Sequence, residues 1–202
     1  MEATVGWVAG AGHRWLVTGG IGSGKSAVCE VLEGLGWFRV EADKVGHEVL
    51  QPGGPGFDEV AALWPEVVTD GEIDRRALGR VVFGDPDQLG RLEAITHPLI
   101  FGRIEQLIDE AGESSVVVET PLRNVTPSGQ WTTVVVDATD RVRLERVVRR
   151  GLSEDEALER MRTQPSRSEW LAVGDLIVPN HEDLDQLSDA VREAVDSCKL
   201  PG

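Results

Sequence analysis

The chain has 202 residues, of which 41% are hydrophobic and 27% charged, and its formal net charge is −15 at neutral pH. This composition is typical of one globular domain of ordinary size. The acidic balance argues against a nucleic-acid or membrane surface, because phosphate backbones and anionic lipids repel it. No apolar stretch reaches the length of a transmembrane helix.

Two cysteines, Cys29 and Cys198, show no spacing typical of a disulfide framework. A reducing cytoplasm is therefore the predicted location, and we expect Cys29 to pack as a small apolar residue on a helix. Residues 1–13 are rich in glycine and other small residues and are predicted to form a loose leader before a single domain of residues 14–198.

The first predicted strand, residues 14–18, leads into a glycine-rich turn. From Gly19 to Ser26 the chain matches the phosphate-loop pattern G-x-x-x-x-G-K-S/T. Glycines let backbone N–H groups approach a polyphosphate without interference from Cβ atoms, Lys25 supplies a cation for the β- and γ-phosphates, and Ser26 supplies a hydroxyl for Mg²⁺. A glycine-rich turn without a ligand is the alternative. A helix over 27–36, with its N-terminal dipole toward the phosphates, favours the phosphate loop.

A second predicted strand, residues 37–41, ends beside Asp43, at the sheet edge where ligands bind in open parallel sheets. After a short helix at 44–50, the chain is predicted to run through helices without an intervening strand. These helices are Phe57–Leu63, Asp74–Phe83 with Asp74 as cap, Pro86–Thr96 and Pro98–Ala111. This excursion is expected either to bind an acceptor substrate or to serve packing alone.

Two β-branched runs, 115–119 and 132–137, are predicted as strands buried on both faces of a parallel sheet. The remaining predicted elements are an arginine-rich helix at 140–150, a helix from a Ser153 cap to about Gln164, a short helix at 165–173, a strand at 176–178 and a helix at 184–198. This alternation predicts an α/β fold with a parallel sheet of about five strands and helices on both faces.

In order and spacing, the motifs resemble those of the dephospho-CoA kinase family. They are the phosphate loop, Glu41-Ala42-Asp43, Asp74-Arg75-Arg76-Ala77-Leu78, His97-Pro98-Leu99-Ile100, Arg149-Arg150-Gly151-Leu152-Ser153 and Gln164. The likeness runs from about Trp15 to Asn180. It implies a three-layer P-loop kinase fold with a helical acceptor region at about 55–113 and a lid at about 149–165. It also implies Mg²⁺-dependent transfer of the γ-phosphoryl group of ATP to the ribose 3′-hydroxyl of dephospho-CoA, forming CoA.

Carried over by position, the resemblance assigns roles to individual residues. Catalysis falls to Asp43, as base for the ribose hydroxyl, and to Lys25, Arg149 and Arg150. ATP binding falls to Gly20, Ile21, Gly22, Ser23, Gly24, Lys25, Ser26, Ala27 and Arg146. The resemblance places Asp43 and His97 at the acceptor site, where His47 stands in place of a family arginine. Arg103 and Arg123 are expected to compensate from nearby positions, and Ser26 is expected to bind the metal with Glu119 or Glu41 as its acid.

Structural alternatives stay open for several of these residues. Asp43 has the alternative of a helix N-cap, His97 that of a structural turn before proline, and each lid arginine that of a solvated helix face.

The acceptor side departs from the family pattern. The family usually has Asp where Glu41 stands, arginines where His47 and Phe101 stand, and an acid in the loop after Glu119 that is lost here while Arg123 is gained. Two alternatives follow: a P-loop kinase with a different nucleotide or small-metabolite acceptor, or a nucleotide-binding protein without turnover. The chain is expected to be a monomer or a weak homo-oligomer.

Overall fold

The computed structural model describes residues 12–121 and 129–199. Its strands are β1 (Arg14–Thr18), β2 (Phe38–Glu41), β3 (Val68–Thr69), β4 (Glu72–Ile73), β5 (Val116–Glu119), β6 (Thr132–Asp137) and β7 (Leu176–Pro179). Its α-helices are α1 (Lys25–Gly34), α2 (Ala42–Val49), α3 (Phe57–Leu63), α4 (Arg75–Val82), α5 (Pro86–Ala111), α6 (Asp140–Arg149), α7 (Glu154–Arg162), α8 (Arg167–Leu171) and α9 (Leu184–Lys199).

Five of the described strands form one sheet in the order β2-β5-β1-β6-β7. The pairs of β1 with β5, β1 with β6, and β6 with β7 are all parallel. Leu16 of β1 lies opposite Val118 of β5 on one side and opposite Thr133 of β6 on the other. The predicted α/β fold with a parallel sheet of about five strands is confirmed.

The sheet is buried on both faces, which explains its continuous apolar strands. Trp15 and Val17 point to the face that packs against Leu32 of α1 and Val191 of α9. Leu16, between them in sequence, is also buried. Because side chains alternate along a strand, burial of neighbours requires cover on both faces. Cys29 lies in the same core as a buried thiol, as predicted.

The chain divides into two compact units. The described residues before Glu41 and from Ala111 onward form the first unit, and Glu41–Glu110 form the second. The second unit has its own buried core, whose members come from α3, α4 and the segment between them: Val60, Trp64, Val67, Ile73, Leu78 and Val82. Asp74 caps α4 as predicted, since its side chain accepts hydrogen bonds from the backbone N–H groups of Arg76 and Ala77.

Two predictions within the second unit are wrong. Strands β3 and β4 pair as a short antiparallel hairpin and interrupt the predicted run of helices. Asp70 and Gly71 form its turn with φ of +52° and +80°, a backbone that Asp-Gly adopts readily. The helices predicted on either side of His97 are one helix, α5, which contains Pro98. Proline removes one backbone donor, and here that loss does not end the helix.

Within the described residues, no helix is both long and apolar enough to cross a membrane.

Leu32 and Leu35 offer a matched test of the core that supports the phosphate loop. Leu32 is fully buried under the sheet, whereas Leu35, just past the end of α1, is 37% exposed. We expect Leu32→Ala to lower the free energy of unfolding by about 2–5 kcal/mol, because it leaves a cavity. Leu35→Ala is expected to cost less than about 1 kcal/mol. Urea unfolding followed by tryptophan fluorescence measures both, and equal losses would contradict the assigned packing.

Candidate active site

Residues 19–24 form the loop between β1 and α1, where the motif predicts it. Gly22 has φ of +78° and Gly24 has φ of +100°, a backbone region that favours glycine. A Cβ atom on Gly22 would lie 2.5 Å from the carbonyl oxygen of Arg143, and one on Gly24 would overlap the side-chain amide of Asn180. The loop therefore needs glycine for its own packing as well as for the approach of a polyphosphate.

Helix α1 begins with Lys25 and Ser26, so both lie at the positive end of its dipole. Lys25 Nζ donates to the carbonyl oxygen of Gly19 at 2.9 Å, which folds the ammonium group back over the loop. Ser26 Oγ donates to Glu119 Oε1 at 2.7 Å. Of the two acids considered from the sequence, Glu119 is the one that contacts Ser26, while Glu41 Oε1 accepts a hydrogen bond from Lys44.

Glu119 has a second partner that sequence reasoning missed. Arg39 Nη2 donates to Glu119 Oε2 at 2.7 Å, and the two side chains are only 13% and 14% exposed. They lie on β2 and β5, which are neighbours in the sheet. Charged side chains are rarely this buried unless they are paired. An arginine inside the apolar run Trp37-Phe38-Arg39-Val40 was the available signal that such a partner exists.

Two side chains hold the carbonyl oxygen of Ser23. Asn180 Nδ2 donates to it at 2.7 Å and Arg146 Nη1 at 3.2 Å. Arg146 Nη2 also donates to Asn180 Oδ1 at 2.9 Å, so α6 and the end of β7 meet at the loop. Burial lowers the pKa of Arg146, and the neighbouring charges of Arg150 and Arg149 lower it further. Arg146 was expected from the sequence, whereas no role was assigned to Asn180.

A second pair of side chains holds Ile21, in the middle of the loop. Arg143 Nε donates to the carbonyl oxygen of Ile21 at 3.0 Å, and Gln164 Oε1 accepts from its backbone N–H at 2.7 Å. Arg143 is only 4% exposed. Burial lowers the pKa of this guanidinium, and the nearby Asp140 opposes that shift. Sequence reasoning gave neither side chain a role.

An open cavity of about 650 Å³ adjoins the loop. The cavity is lined by Gly24, Ala27, Arg146, Arg149, Arg150 and Asn180. The segment 182–185, which carries three acids, also lines it. The two lid arginines expected to act in catalysis therefore lie in the wall of this cavity, and its volume is within the range of small-molecule sites.

An ion pair lies where β6 ends. Arg167 donates to both carboxylate oxygens of Asp137, from Nε at 2.7 Å and from Nη2 at 2.6 Å. His181 Nε2 lies 3.4 Å from Asp137 Oδ2. The Arg167 hydrogen bonds hold the pKa of Asp137, a buried carboxyl, below its ordinary value. This ion pair connects α8, which follows the predicted lid, to the carboxyl end of β6.

The family model for dephospho-CoA kinase matches residues 16–186. The chain belongs to this family. A dephospho-CoA kinase from Frankia casuarinae is 42% identical over 182 residues, which cover 88% of this chain and 80% of the relative. Among solved structures, a Thermus thermophilus protein aligns with a TM-score of 0.82 at 31% identity, over 94% of this chain and 100% of that one. Dephospho-CoA kinase from Campylobacter jejuni aligns with a TM-score of 0.64 at 26% identity, over 92% and 96% of the two chains.

Most residues expected from the sequence to bind the acceptor lie in the second unit. Asp43 is exposed there, in the first turn of α2. The alternative that Asp43 caps this helix is wrong, because α2 already begins at Ala42 and Glu41 occupies the cap position. The physical reason is that β2 runs directly into α2 with no turn between them.

Two of the other residues expected at the acceptor site, His47 and Arg103, have partners inside the second unit. His47 Nδ1 lies 2.8 Å from Nη1 of Arg75, the first residue of α4. Arg103 Nη1 donates to Glu110 Oε1 at 3.2 Å along α5. Arg75 therefore brings a guanidinium beside His47, where the family resemblance leads us to expect an arginine.

His97 lies on α5, with its ring centroid 5.7 Å from that of Phe101 one turn later. The expectation of a structural turn at His97 is wrong, because the helix continues through Pro98. Arg123, the remaining acceptor-side residue, lies outside the described residues.

Asp137→Asn tests the ion pair at the end of β6 through the pH dependence of stability. The folded-state pKa lies below the ordinary value of 3.8, so the carboxylate contributes stability that is present above this value and is lost as the pH falls through the folded-state pKa. We expect the wild type to be more stable than the variant near neutral pH, and the difference to shrink below about pH 4. Urea unfolding as a function of pH measures it.

Asp189→Asn, an exposed change on α9, serves as the control and should give no such pH-dependent difference. A difference between wild type and Asp137→Asn that stays constant from neutral to acidic pH would contradict the assignment.

Proposed function

We propose that this chain transfers the γ-phosphoryl group of ATP to the 3′-hydroxyl of the ribose in dephospho-CoA, giving CoA and ADP. The match to the dephospho-CoA kinase family over residues 16–186 carries this proposal. The phosphate loop supports it, since Lys25 folds over the loop onto Gly19 and Ser26 contacts Glu119 at the end of β5. Because the family match spans both units, a changed acceptor or a protein without turnover is not favoured.

On the donor side, the loop from Gly20 to Ala27 surrounds the polyphosphate of ATP, with the N–H groups at the start of α1 directed at it, and Lys25 neutralises the β- and γ-phosphates. The Ile21 N–H is bonded to Gln164 and so serves the shape of the loop. The cavity of about 650 Å³ next to Gly24 and Ala27 takes the nucleoside. Arg146, Arg149 and Arg150 line this cavity beside the loop. Guanidinium groups placed there are suited to the negative charge that moves during phosphoryl transfer.

Mg²⁺ fits the donor set at the start of α1. The Ser26 hydroxyl and the Glu119 carboxylate lie 2.7 Å apart, and hard oxygen ligands of this kind are those that Mg²⁺ prefers alongside substrate phosphates. When bound, the ion would neutralise charge on the phosphate oxygens. Arg39 keeps the second oxygen of Glu119 engaged and so orients the carboxylate.

On the acceptor side, Asp43 orients the ribose hydroxyl and accepts its proton. Its exposed position in the first turn of α2, directly after β2, suits a group that must meet a substrate. His47, His97 and Arg103 contribute to acceptor binding from the same unit, and Arg75 adds a positive charge beside His47. A diphosphate-bearing acceptor such as dephospho-CoA favours guanidinium groups at this site.

We further propose that the protein works in the cytoplasm as a monomer or weak homo-oligomer. Cys29 is buried and Cys198 partly buried, and neither forms a disulfide, which is in keeping with a reducing compartment.

The deciding experiment is ADP release from ATP and Mg²⁺, measured with and without dephospho-CoA, together with chromatographic detection of CoA. We expect ADP and CoA in equal amounts, and almost no ADP in the blank without acceptor. Lys25→Ala should abolish both, because the loop loses its phosphate cation. ATP binding without any acceptor-dependent release would refute the proposed function.

Asp43→Asn is expected to lower kcat by roughly 10²–10⁴-fold, the usual contribution of general-base assistance. ATP affinity should stay close to that of the wild type, because the change does not touch the phosphate loop. Single-turnover kinetics and calorimetric ATP titration separate the two quantities. Asp58→Asn, an exposed change on α3, is the matched control. Wild-type turnover in Asp43→Asn would remove the base assignment.

Glu119→Gln is expected to raise the Mg²⁺ concentration needed for half-maximal turnover by about 10–100-fold, the usual effect of altering groups that orient a metal site. The amide still accepts the Ser26 hydrogen bond, but the negative charge is gone. Turnover at saturating ATP is measured against free Mg²⁺, with the exposed Glu113→Gln as control. An unchanged Mg²⁺ requirement would show that Glu119 does not serve the metal.

A further inference from the structure

Both backbone groups of Ile21, the N–H and the carbonyl oxygen, are hydrogen-bonded to side chains outside the phosphate loop. Its N–H donates to Gln164 Oε1 at 2.7 Å, and its carbonyl oxygen accepts from Arg143 Nε at 3.0 Å. The two partners also contact each other, since Arg143 Nη2 donates to Gln164 Oε1 at 3.3 Å. The three residues form a closed hydrogen-bonded ring, which we call the Ile21 clamp.

Arg143 is positioned by more than the clamp. Its Nη1 donates to Asp140 Oδ1 at 3.0 Å, one turn earlier on α6. Its guanidinium also occupies the space that a Cβ on Gly20 would need. A charged group that is 4% exposed requires partners for its donors, and the loop carbonyl supplies one of them. The buried arginine therefore stabilises one conformation of the loop.

Gln164 lies two residues beyond α7, at the end of the predicted lid. Three residues later, Arg167 makes its two hydrogen bonds to Asp137 at the edge of the sheet. The short segment 164–167 is thus tied at one end to the phosphate loop and at the other to β6. A hydrogen bond from the lid's end to the loop gives the lid a direct physical connection to the groups that bind phosphate.

We propose that Gln164 and Arg143 are positioning residues, which hold the phosphate loop in its polyphosphate-binding conformation and couple the end of the lid to it. This inference rests on the proposed function only in taking the loop as the ATP site. The clamp acts on the loop backbone and not on the nucleoside cavity. Its loss should therefore weaken binding of nucleotides that carry a β-phosphate and leave adenosine binding unchanged.

Gln164→Met tests the clamp, because methionine keeps the length of the side chain and removes the acceptor. Leaving the Ile21 N–H without its partner should weaken ADP binding about tenfold in a calorimetric titration. Adenosine binding, followed by NMR chemical shifts, should not change. Gln164→Glu keeps an acceptor for both donors and should restore ADP affinity. In the full reaction, kcat/KM for ATP should fall in Gln164→Met while KM for the acceptor stays constant.

Hydrogen exchange gives a second readout that does not depend on any ligand. The Ile21 amide should exchange faster in Gln164→Met than in the wild type, by about tenfold, and return to slow exchange in Gln164→Glu. Arg143→Gln is a second route to the same loss if Gln164→Met does not fold. Arg141→Gln, on the same helix but 77% exposed and paired with Glu145, is its matched control.

Unchanged ADP affinity in Gln164→Met, or an equal loss of ADP and adenosine affinity, would overturn the proposal, as would unchanged exchange at Ile21. ADP binding requires no acceptor. A wild type that binds ADP but forms no CoA would therefore refute the proposed function. The effect of Gln164→Met on ADP affinity would still test the clamp.

Discussion

The parallel pairing of β1 with β5 and β6 is the constraint on which the rest of this structure depends. It places Val17 opposite Glu119, and Thr18 opposite Val135, so that the carboxyl ends of three strands reach the same edge. The phosphate loop follows β1, Glu119 ends β5, and the arginines of α6 follow β6. Because both faces of the sheet are closely packed, a slip of one residue would exchange side chains of different size between the two faces, for example Trp15 and Leu16. The same hydrophobic burial that stabilises the sheet therefore fixes the relative positions of the phosphate loop and Glu119.

Positive charge in this acidic chain is concentrated where it has a structural partner. Arg39 pairs with Glu119 and Arg167 with Asp137, each at the end of a sheet strand. Two further arginines, Arg143 and Arg146, donate to loop carbonyl oxygens, and Arg143 also pairs with Asp140. Carbonyl oxygens that accept from guanidinium groups turn the negative ends of their peptide dipoles toward α6. Such an arrangement builds an anion-binding loop out of backbone geometry, with the net charge of the whole protein playing little part.

The residues proposed for the donor site lie in the first unit, and most of those proposed for the acceptor site lie in the second. The departures from the family pattern at His47 and Phe101 fall in the second unit, which has its own core around Trp64. These positions lie outside the unit that carries the phosphate loop. An arginine from α4, Arg75, stands beside His47, where the family resemblance leads us to expect an arginine. In proteins generally, the activity depends on the site residues that a fold carries and not on the fold itself.

The sequence by itself determined the local features that depend on short-range chemistry. Continuous β-branched runs specified the buried strands, glycine spacing specified the loop, and Asp74 and Ser153 specified helix starts through their caps. Predictions from the local sequence pattern were wrong at two places. Pro98 does not end α5, and the Asp70-Gly71 turn joins two strands of a hairpin in a segment that was predicted to be helical. Only the tertiary structure decided which side chains meet across the chain. Arg39 with Glu119, and Gln164 with Ile21, are separated by 80 and 143 residues, so no local spacing encodes them. Their pairing arises because packing of the sheet and α6 removes charged and polar groups from water, and each must then find a partner.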